Sequence, residues 1–130
     1  MSLSIHEIDI PFIRLLGVEV LAEAPGRVAT RFEIKPEYRN SWGVAHGGAL
    51  MTLLDFTMGM TVRTHDPTAL GGATVEMKVS FFAAGTGVLT CEGRILHATR
   101  TLLFAEGEIR DASNAVITKA LGTFKLRHAR

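Results

Sequence analysis

A polar loop that leads into a strongly apolar segment carries the residue types best suited to chemistry. The stretch 40–64 reads NSWGVAHGGALMTLLDFTMGMTVRT, and its apolar part holds a single acid, Asp55. The apolar run predicts a helix over residues 47–64, and a helix that is apolar on all sides is a buried helix. An ionised carboxylate is costly in such a position unless it is paired or used. Asp55 is therefore the first candidate for a catalytic group.

The start of this predicted helix offers a second chemical group. Gly47 and Gly48 follow His46 where the free N–H groups of a helix point outward, and such an end stabilises an oxyanion. Gly47 and Asp55 lie about 12 Å apart along one helix, whereas reacting atoms must approach to about 3–3.5 Å. If both serve one reaction, they come from two antiparallel copies. The spacing thus predicts a homodimer with two composite sites.

Composition and charge narrow the class of protein. The 130 residues are 47% hydrophobic and 21% charged, which indicates one globular domain spanning residues 1–130. The net charge of +1 favours neither a nucleic-acid partner nor a membrane surface. A single cysteine, Cys91, offers no internal disulfide and no metal-ligand framework. The first residues lack the pattern of a signal peptide, so we expect a cytoplasmic location.

The remaining elements must position these groups. Apolar spacing predicts an amphipathic helix over residues 4–16, kinked or divided at Pro11, and a hairpin of strands 18–22 and 27–34 follows. Further strands are expected over residues 73–83, 88–98, 102–110 and 116–126. Short turns between them indicate an antiparallel meander. The predicted fold class is α+β, a curved antiparallel sheet of about six strands wrapped around the central helix.

Alternation within the strand at 73–83 assigns its side chains to two faces. One face is expected to hold Val75, Met77, Val79 and Phe81. The other face is expected to hold Thr74, Glu76, Lys78 and Ser80.

The pattern Asn40-x5-His46-Gly47-Gly48-x6-Asp55, with a strand-rich second half, resembles the hotdog-fold acyl-CoA thioesterases of the phenylacetate-degradation (PaaI-like) branch. The resemblance covers nearly the whole chain and implies hydrolysis of acyl-CoA thioesters, with no metal and no cofactor beyond the CoA of the substrate. It also implies homodimers that pair into tetramers, and CoA lying along the surface near the loop at 99–101.

The resemblance implies a role for each residue of the motif. The Gly47 N–H holds the thioester carbonyl oxygen, and His46 shapes that loop. Asn40 hydrogen-bonds the carbonyl or the acid, and Thr74 orients the water. Asp55 of the partner chain is the nucleophile or the general base, and the sequence leaves both mechanisms open.

Other readings remain open beside this one. The same fold serves non-catalytic acyl-CoA or fatty-acyl binders, and hotdog dehydratases or hydratases, which use a His with an acid on the helix. Asp55 could also be a structural acid, and Asn40 an ordinary turn residue. The methionines at 51, 58, 60 and 77 are either core fillers or an adaptable acyl pocket. Phe56, Met60, Phe81 and Phe82 favour an aromatic or medium-length acyl group, while the choice between CoA and a carrier protein stays open.

Overall fold

Helix α2, Gly47–Arg63, lies at the centre of the protein, which a computed structural model describes over residues 8–129. In the first half of the helix only Leu50, Leu53 and Leu54 are buried, which marks one face, whereas every residue from Thr57 to Arg63 is buried. The fully buried side chains of the helix are Leu53, Leu54, Thr57, Met58, Thr61 and Val62. The predicted helix is confirmed, and its end differs by one residue from the expected Thr64.

Six strands form one sheet around this helix. They are β1 Glu19–Ala24, β2 Arg27–Glu33, β3 Gly71–Phe81, β4 Val88–Ala98, β5 Leu103–Arg110 and β6 Val116–Arg127. Their spatial order is β1-β2-β4-β5-β6-β3, and every neighbouring pair is antiparallel. Inward side chains such as Phe32, Ile109 and Phe124 pack with α2 in one core. The predicted α+β hotdog fold, a six-stranded antiparallel sheet on one long helix, is confirmed.

The predicted meander is wrong for strand β3. This strand pairs with β6, from Gly71 opposite Arg127 to Phe81 opposite Thr118, and not with β4, which follows it in sequence. Alternation marks a strand locally but does not select its partner, because the partner depends on which strands together cover α2. As a result β3 is an edge strand, and its residues Gly72 and Met77 line a groove along α2.

The N-terminal helix is shorter than predicted. Helix α1 spans Pro11–Leu16 and ends at Gly17, whose φ of 77° is left-handed. Pro11 starts the helix instead of kinking it, because its fixed φ and its missing N–H suit the first turn of a helix. The preceding residue, Ile10, has an extended backbone, as is typical before a proline. Residues 8–10 are not helical, and residues 4–7 of the prediction lie outside the described residues.

Strand β3 contains a β-bulge that changes the predicted faces. Thr74 lies opposite the buried Phe124, whereas Glu76 lies opposite Thr123, so Val75 is the extra residue. Val75 is 58% exposed. The bulge moves Thr74 to the inner face, where Met77, Val79 and Phe81 also lie, so the assignment of Thr74 and Val75 from alternation is wrong.

Candidate active site

Asp55 lies half-buried on an uncovered stripe of α2, not inside a fully enclosed helix as the sequence predicted. The stripe is open because the sheet closes around only part of the helix, and Met51 on the same stripe is 42% exposed. A groove of about 500 Å³ runs along it. The groove is lined by Ile10, Phe12, Ile13, Gly48, Met51, Thr52, Asp55, Phe56, Gly59, Met60, Gly72 and Met77.

Among residues 8–129, the side chain that hydrogen-bonds the Asp55 carboxylate is Thr74. Its hydroxyl Oγ1 donates a short hydrogen bond to Oδ1 of the carboxylate. Oδ2 has no hydrogen-bond partner among residues 8–129. One oxygen of the acid is thus oriented by Thr74, while the other faces the groove and is available to water or substrate.

His46 caps the N-terminus of α2. Its ring Nδ1 accepts a hydrogen bond of 2.8 Å from the Gly48 N–H, which fixes the ring proton on Nε2. The His46 carbonyl accepts the N–H groups of Ala49 and Leu50. Within the described chain the Gly47 N–H has no partner, so it is the free donor at the positive end of this helix.

Phe81, at the end of β3, packs against Gly47. A Cβ built on Gly47 would lie 3.4 Å from Cζ of the Phe81 ring. Together with the bond from Thr74 to Asp55, this contact shows that β3 runs antiparallel to α2. The strand therefore places Phe81 at the free N–H and Thr74 at the acid.

Asn40 organises the loop before α2. Its Oδ1 accepts N–H groups from Trp42 at 2.9 Å and from Val44 at 3.4 Å. Its own N–H donates to the Val44 carbonyl at 2.8 Å, and Gly43 completes the turn with a φ of 77°. In residues 8–129 Asn40 makes no hydrogen bond to Asp55, and its side-chain amide nitrogen points to no described acceptor.

The five predicted site residues therefore form two groups in one protomer. Asp55 and Thr74 make one group, and Asn40, His46 and Gly47 make the other at the start of α2. The groups are separated by about 12 Å of helix, so no single protomer assembles the whole set.

Several residues of this region were not predicted as part of a site. Ile10, Phe12 and Ile13 form one wall of the groove. Their apolar spacing was visible in the sequence, but it did not show what they cover. Of the methionines, Met58 and Met60 are buried in the core, and Met51, Met60 and Met77 line the groove. A role of these three in an acyl pocket stays a prediction.

Cys91 is buried in β4, and burial raises the pKa of its thiol to about 12. It lies beside Thr30 and Thr57 in the interior and does not line the groove. Within residues 8–129 no helix combines the length and apolarity that a membrane span requires.

This chain is similar to known proteins over most of its length. A protein of Homo sapiens named acyl-coenzyme A thioesterase 13 is 27% identical over 120 residues, covering 85% of each chain. A candidate esterase of Saccharolobus solfataricus is 31% identical over 112 residues, which are 85% of this chain and 79% of that protein. A conserved protein of Pseudomonas aeruginosa superposes with a TM-score of 0.88 at 30% identity, covering 95% of this chain and 98% of that one.

The motif region itself matches a family model. Residues 43–118, more than half of the chain, match the model described as the Thioesterase superfamily. This segment includes the start of α2, Asp55 and Thr74. The chain belongs to the Thioesterase superfamily.

Proposed function

We propose that this protein hydrolyses acyl-CoA thioesters to the free acid and CoA. The observation that carries the proposal is Asp55, which lies in an apolar groove with one oxygen held by Thr74 and the other open. An acid placed this way serves water activation or direct attack, and an apolar groove suits an acyl chain. The named activity of the human thioesterase relative supports the CoA ester as the substrate class.

We propose a homodimer as the active form. Helix α2 has an uncovered stripe and β3 an unpaired edge, so two copies can pair both elements about one two-fold axis. Antiparallel α2 helices with the axis near Met51 would bring each Gly47 to the partner's Asp55. Pairing of dimers into tetramers, the PaaI-like branch and a cytoplasmic location remain predictions.

In this dimer the two groups of residues act on one thioester. The Gly47 N–H donates to the carbonyl oxygen and stabilises its negative charge as the tetrahedral intermediate forms. Asn40 and His46 hold the loop that aims this N–H. Asp55 takes a proton from water that adds to the carbonyl carbon, or adds there itself to form an anhydride that water then cleaves. The C–S bond breaks, and CoA leaves as the thiolate, which takes up a proton.

The test compares wild type with Asp55→Asn across a panel of acyl-CoAs. The substitution keeps the size of the side chain and removes its charge. We expect turnover by wild type and a loss of about 10²-fold or more in kcat for the variant. Size-exclusion chromatography with light scattering serves as the control for folding and assembly. If Asp55→Asn retains near-wild-type turnover, Asp55 is a structural acid and the assignment fails.

A single turnover in ¹⁸O-labelled water tests for direct attack. If water cleaves the anhydride at the Asp55 carbonyl carbon, the first product carries an unlabelled oxygen from Asp55 and the label stays in the carboxylate. Water activation, or cleavage of the anhydride at the acyl carbonyl, places the label in the first product, so label in Asp55 is the outcome that establishes direct attack. Mass spectrometry of the free acid and of the peptide containing Asp55 reads both outcomes.

The competing functions predict different results in the same assay. A non-catalytic binder would bind acyl-CoA without turnover by wild type. A dehydratase would consume hydroxyacyl-CoA without releasing CoA. The engagement of His46 Nδ1 as a helix cap supports hydrolysis over dehydration, because the neutral ring then carries its proton on Nε2 and has no free nitrogen that accepts a proton from substrate.

A further inference from the structure

Trp42 is the most exposed large apolar side chain of the described residues. It is 84% exposed, and it is the one tryptophan of the sequence. The loop that carries it is held by Asn40, whose Oδ1 accepts the Trp42 N–H at 2.9 Å. An indole presented to solvent by an ordered loop costs hydrophobic free energy, which is recovered if another surface covers it.

The groove beside Asp55 continues along α2 as an apolar stretch whose floor is formed by buried residues. We call the part formed by Phe56, Gly59, Met60 and Gly72 the distal groove. Gly59 lies four residues beyond Asp55, about 6 Å further along α2. A Cβ built on Gly59 meets only the Gly72 carbonyl oxygen within 4 Å, at 3.6 Å. The missing side chain at Gly59 therefore contributes to the width of the distal groove.

The groove offers little to a charged or hydrogen-bonding acyl tail. Among the described residues, Asp55 and Thr52 are its polar side chains, and the Thr52 hydroxyl already donates to the Gly48 carbonyl at 2.9 Å. None of the lining residues within 8–129 carries a positive charge. An acyl group with a carboxylate at its far end would place that negative charge in an apolar groove near Asp55, with no positive charge beside it. The groove therefore suits neutral, apolar acyl groups.

The proposed dimer brings Trp42 and the distal groove together. When Gly47 of one protomer faces the partner's Asp55, residues beyond Asp55 face the segment that precedes Gly47. Trp42 lies at the tip of the turn 40–44, which Asn40 and Val44 close just before Gly47. In the proposed dimer this turn is the exposed segment of one protomer next to the start of α2, on the side of the partner's distal groove.

Building on the proposed hydrolase and its dimer, we propose that Trp42 closes the distal groove of the partner protomer and sets specificity for neutral, apolar acyl chains long enough to reach it. A short acyl group, whose chain ends near Asp55, does not contact the indole. A longer chain buries its end between the indole and the floor around Gly59. Trp42 then acts on the length of the acyl group and not on the reacting carbonyl.

The first test measures kcat and KM for Trp42→Ala over linear acyl-CoAs from acetyl to lauroyl. We expect the ratio of kcat/KM for lauroyl-CoA to that for acetyl-CoA to fall about tenfold, mainly through KM, because apolar burial is lost. Trp42→Phe should restore much of this ratio. Leu121→Ala is the matched control, since it removes a 49% exposed apolar side chain from the outer face of the sheet. An unchanged ratio in an assembled Trp42→Ala dimer overturns the inference.

A second test asks whether the indole acts across the interface. Co-expressed chains with two different tags yield a heterodimer of Trp42→Ala with Asp55→Asn. If Trp42 acts on the partner, one site combines Asp55 with Trp42 and keeps the wild-type lauroyl KM at about half the activity. If Trp42 acts within its own chain, no site has both residues, and the heterodimer shows the raised KM of Trp42→Ala, which contradicts the proposal.

A fluorescence experiment tests the role of Trp42 independently of the proposed hydrolysis. Because Trp42 is the one tryptophan, its emission reports on the loop directly. Dodecyl-CoA thioether, which cannot be hydrolysed, should shift the emission to shorter wavelength, whereas CoA alone should not. Failure of wild type to hydrolyse any thioester would refute the proposed function, yet this shift would still support contact between the indole and the chain. Hydrolysis without any shift would refute the role of Trp42 alone.

Discussion

Thr74 donates a hydrogen bond to Asp55 because a β-bulge at Val75 turns Thr74 towards the helix. Without the extra residue, strand alternation would direct the Thr74 hydroxyl to the outer face of the sheet. Bulges commonly re-aim a side chain next to a functional site. The pair therefore links an irregularity of the edge strand to the orientation of the candidate catalytic acid.

Replacing Thr74 by Val should lower the activity that depends on Asp55 without disturbing the fold. Val keeps the branched shape and removes the donor, and a hydrogen bond to a charged group contributes about 1.5–3 kcal/mol. We expect kcat for acyl-CoA hydrolysis to fall about 10-fold or more. Thr74→Ser is the matched control, because it retains the hydroxyl and should stay near wild type. Equal activity of the Val and Ser variants would show that the hydroxyl does not orient Asp55.

Replacing His46 by Ala should weaken the start of α2. The variant loses the acceptor for the Gly48 N–H, and loss of an N-cap costs about 1 kcal/mol of unfolding free energy. His46→Asn supplies another capping oxygen and should restore that stability. Urea unfolding at one fixed protein concentration measures both variants. If activity recovers together with stability in His46→Asn, the ring acts by shaping the loop; if stability alone recovers, Nε2 has a role in the reaction.

Replacing Gly47 by Ala should separate catalysis from folding. The added methyl group lies 3.4 Å from the Phe81 ring, an ordinary contact, and Ala favours a helix more than Gly does. We therefore expect an unchanged or higher melting temperature. The methyl group also crowds the approach to the free N–H, so kcat/KM should fall about 10-fold or more. Unimpaired hydrolysis would remove Gly47 from the oxyanion role.

The Cys91 thiol should resist labelling in the folded protein. Burial raises its pKa to about 12, and the thiolate is the reactive form. With Ellman's reagent at pH 8, we expect labelling to be slow in buffer and rapid in concentrated urea. Because the folded pKa lies above that of the unfolded thiol, the stability that Cys91 contributes is complete at neutral pH and declines above the unfolded pKa. Rapid labelling of the native protein would contradict its burial.

Asp66, just after α2, should titrate at an unusually low pH. The hydroxyl of Thr68 is the main cause, followed by His128, and together they lower the Asp66 pKa from 3.8 to about 2. The folded pKa is lowered, so this contribution to stability is present above pH 3.8 and declines as the pH falls towards 2. Carboxyl ¹³C NMR should show the low value in wild type and a higher one in Thr68→Val. His128→Ala should raise it less, and a larger rise there would reverse the order of causes.

The sequence by itself determined the central helix and the identity of the candidate groups. An apolar run behind two glycines specifies the start and the approximate length of α2, because apolar runs and helix termini are local signals. The run did not show that the stripe with Met51 and Asp55 stays open. Alternation located the six strands to within a few residues for the same reason. The spacing of Gly47 and Asp55 also follows from helix geometry alone, so the division of the site into two groups was predictable.

The tertiary structure alone decided how strand β3 serves the site. Pairing with β6 depends on contacts between residues far apart in the chain, such as Gly71 with Arg127, and no local pattern encodes that choice. The bulge is likewise invisible to alternation, because one extra residue at Val75 reverses the face of Thr74. Both differences have the same physical reason. The alternation of side chains along a strand is set within that one segment. The choice of the neighbouring strand, and the register in which the two strands pair, depend on how the whole sheet packs.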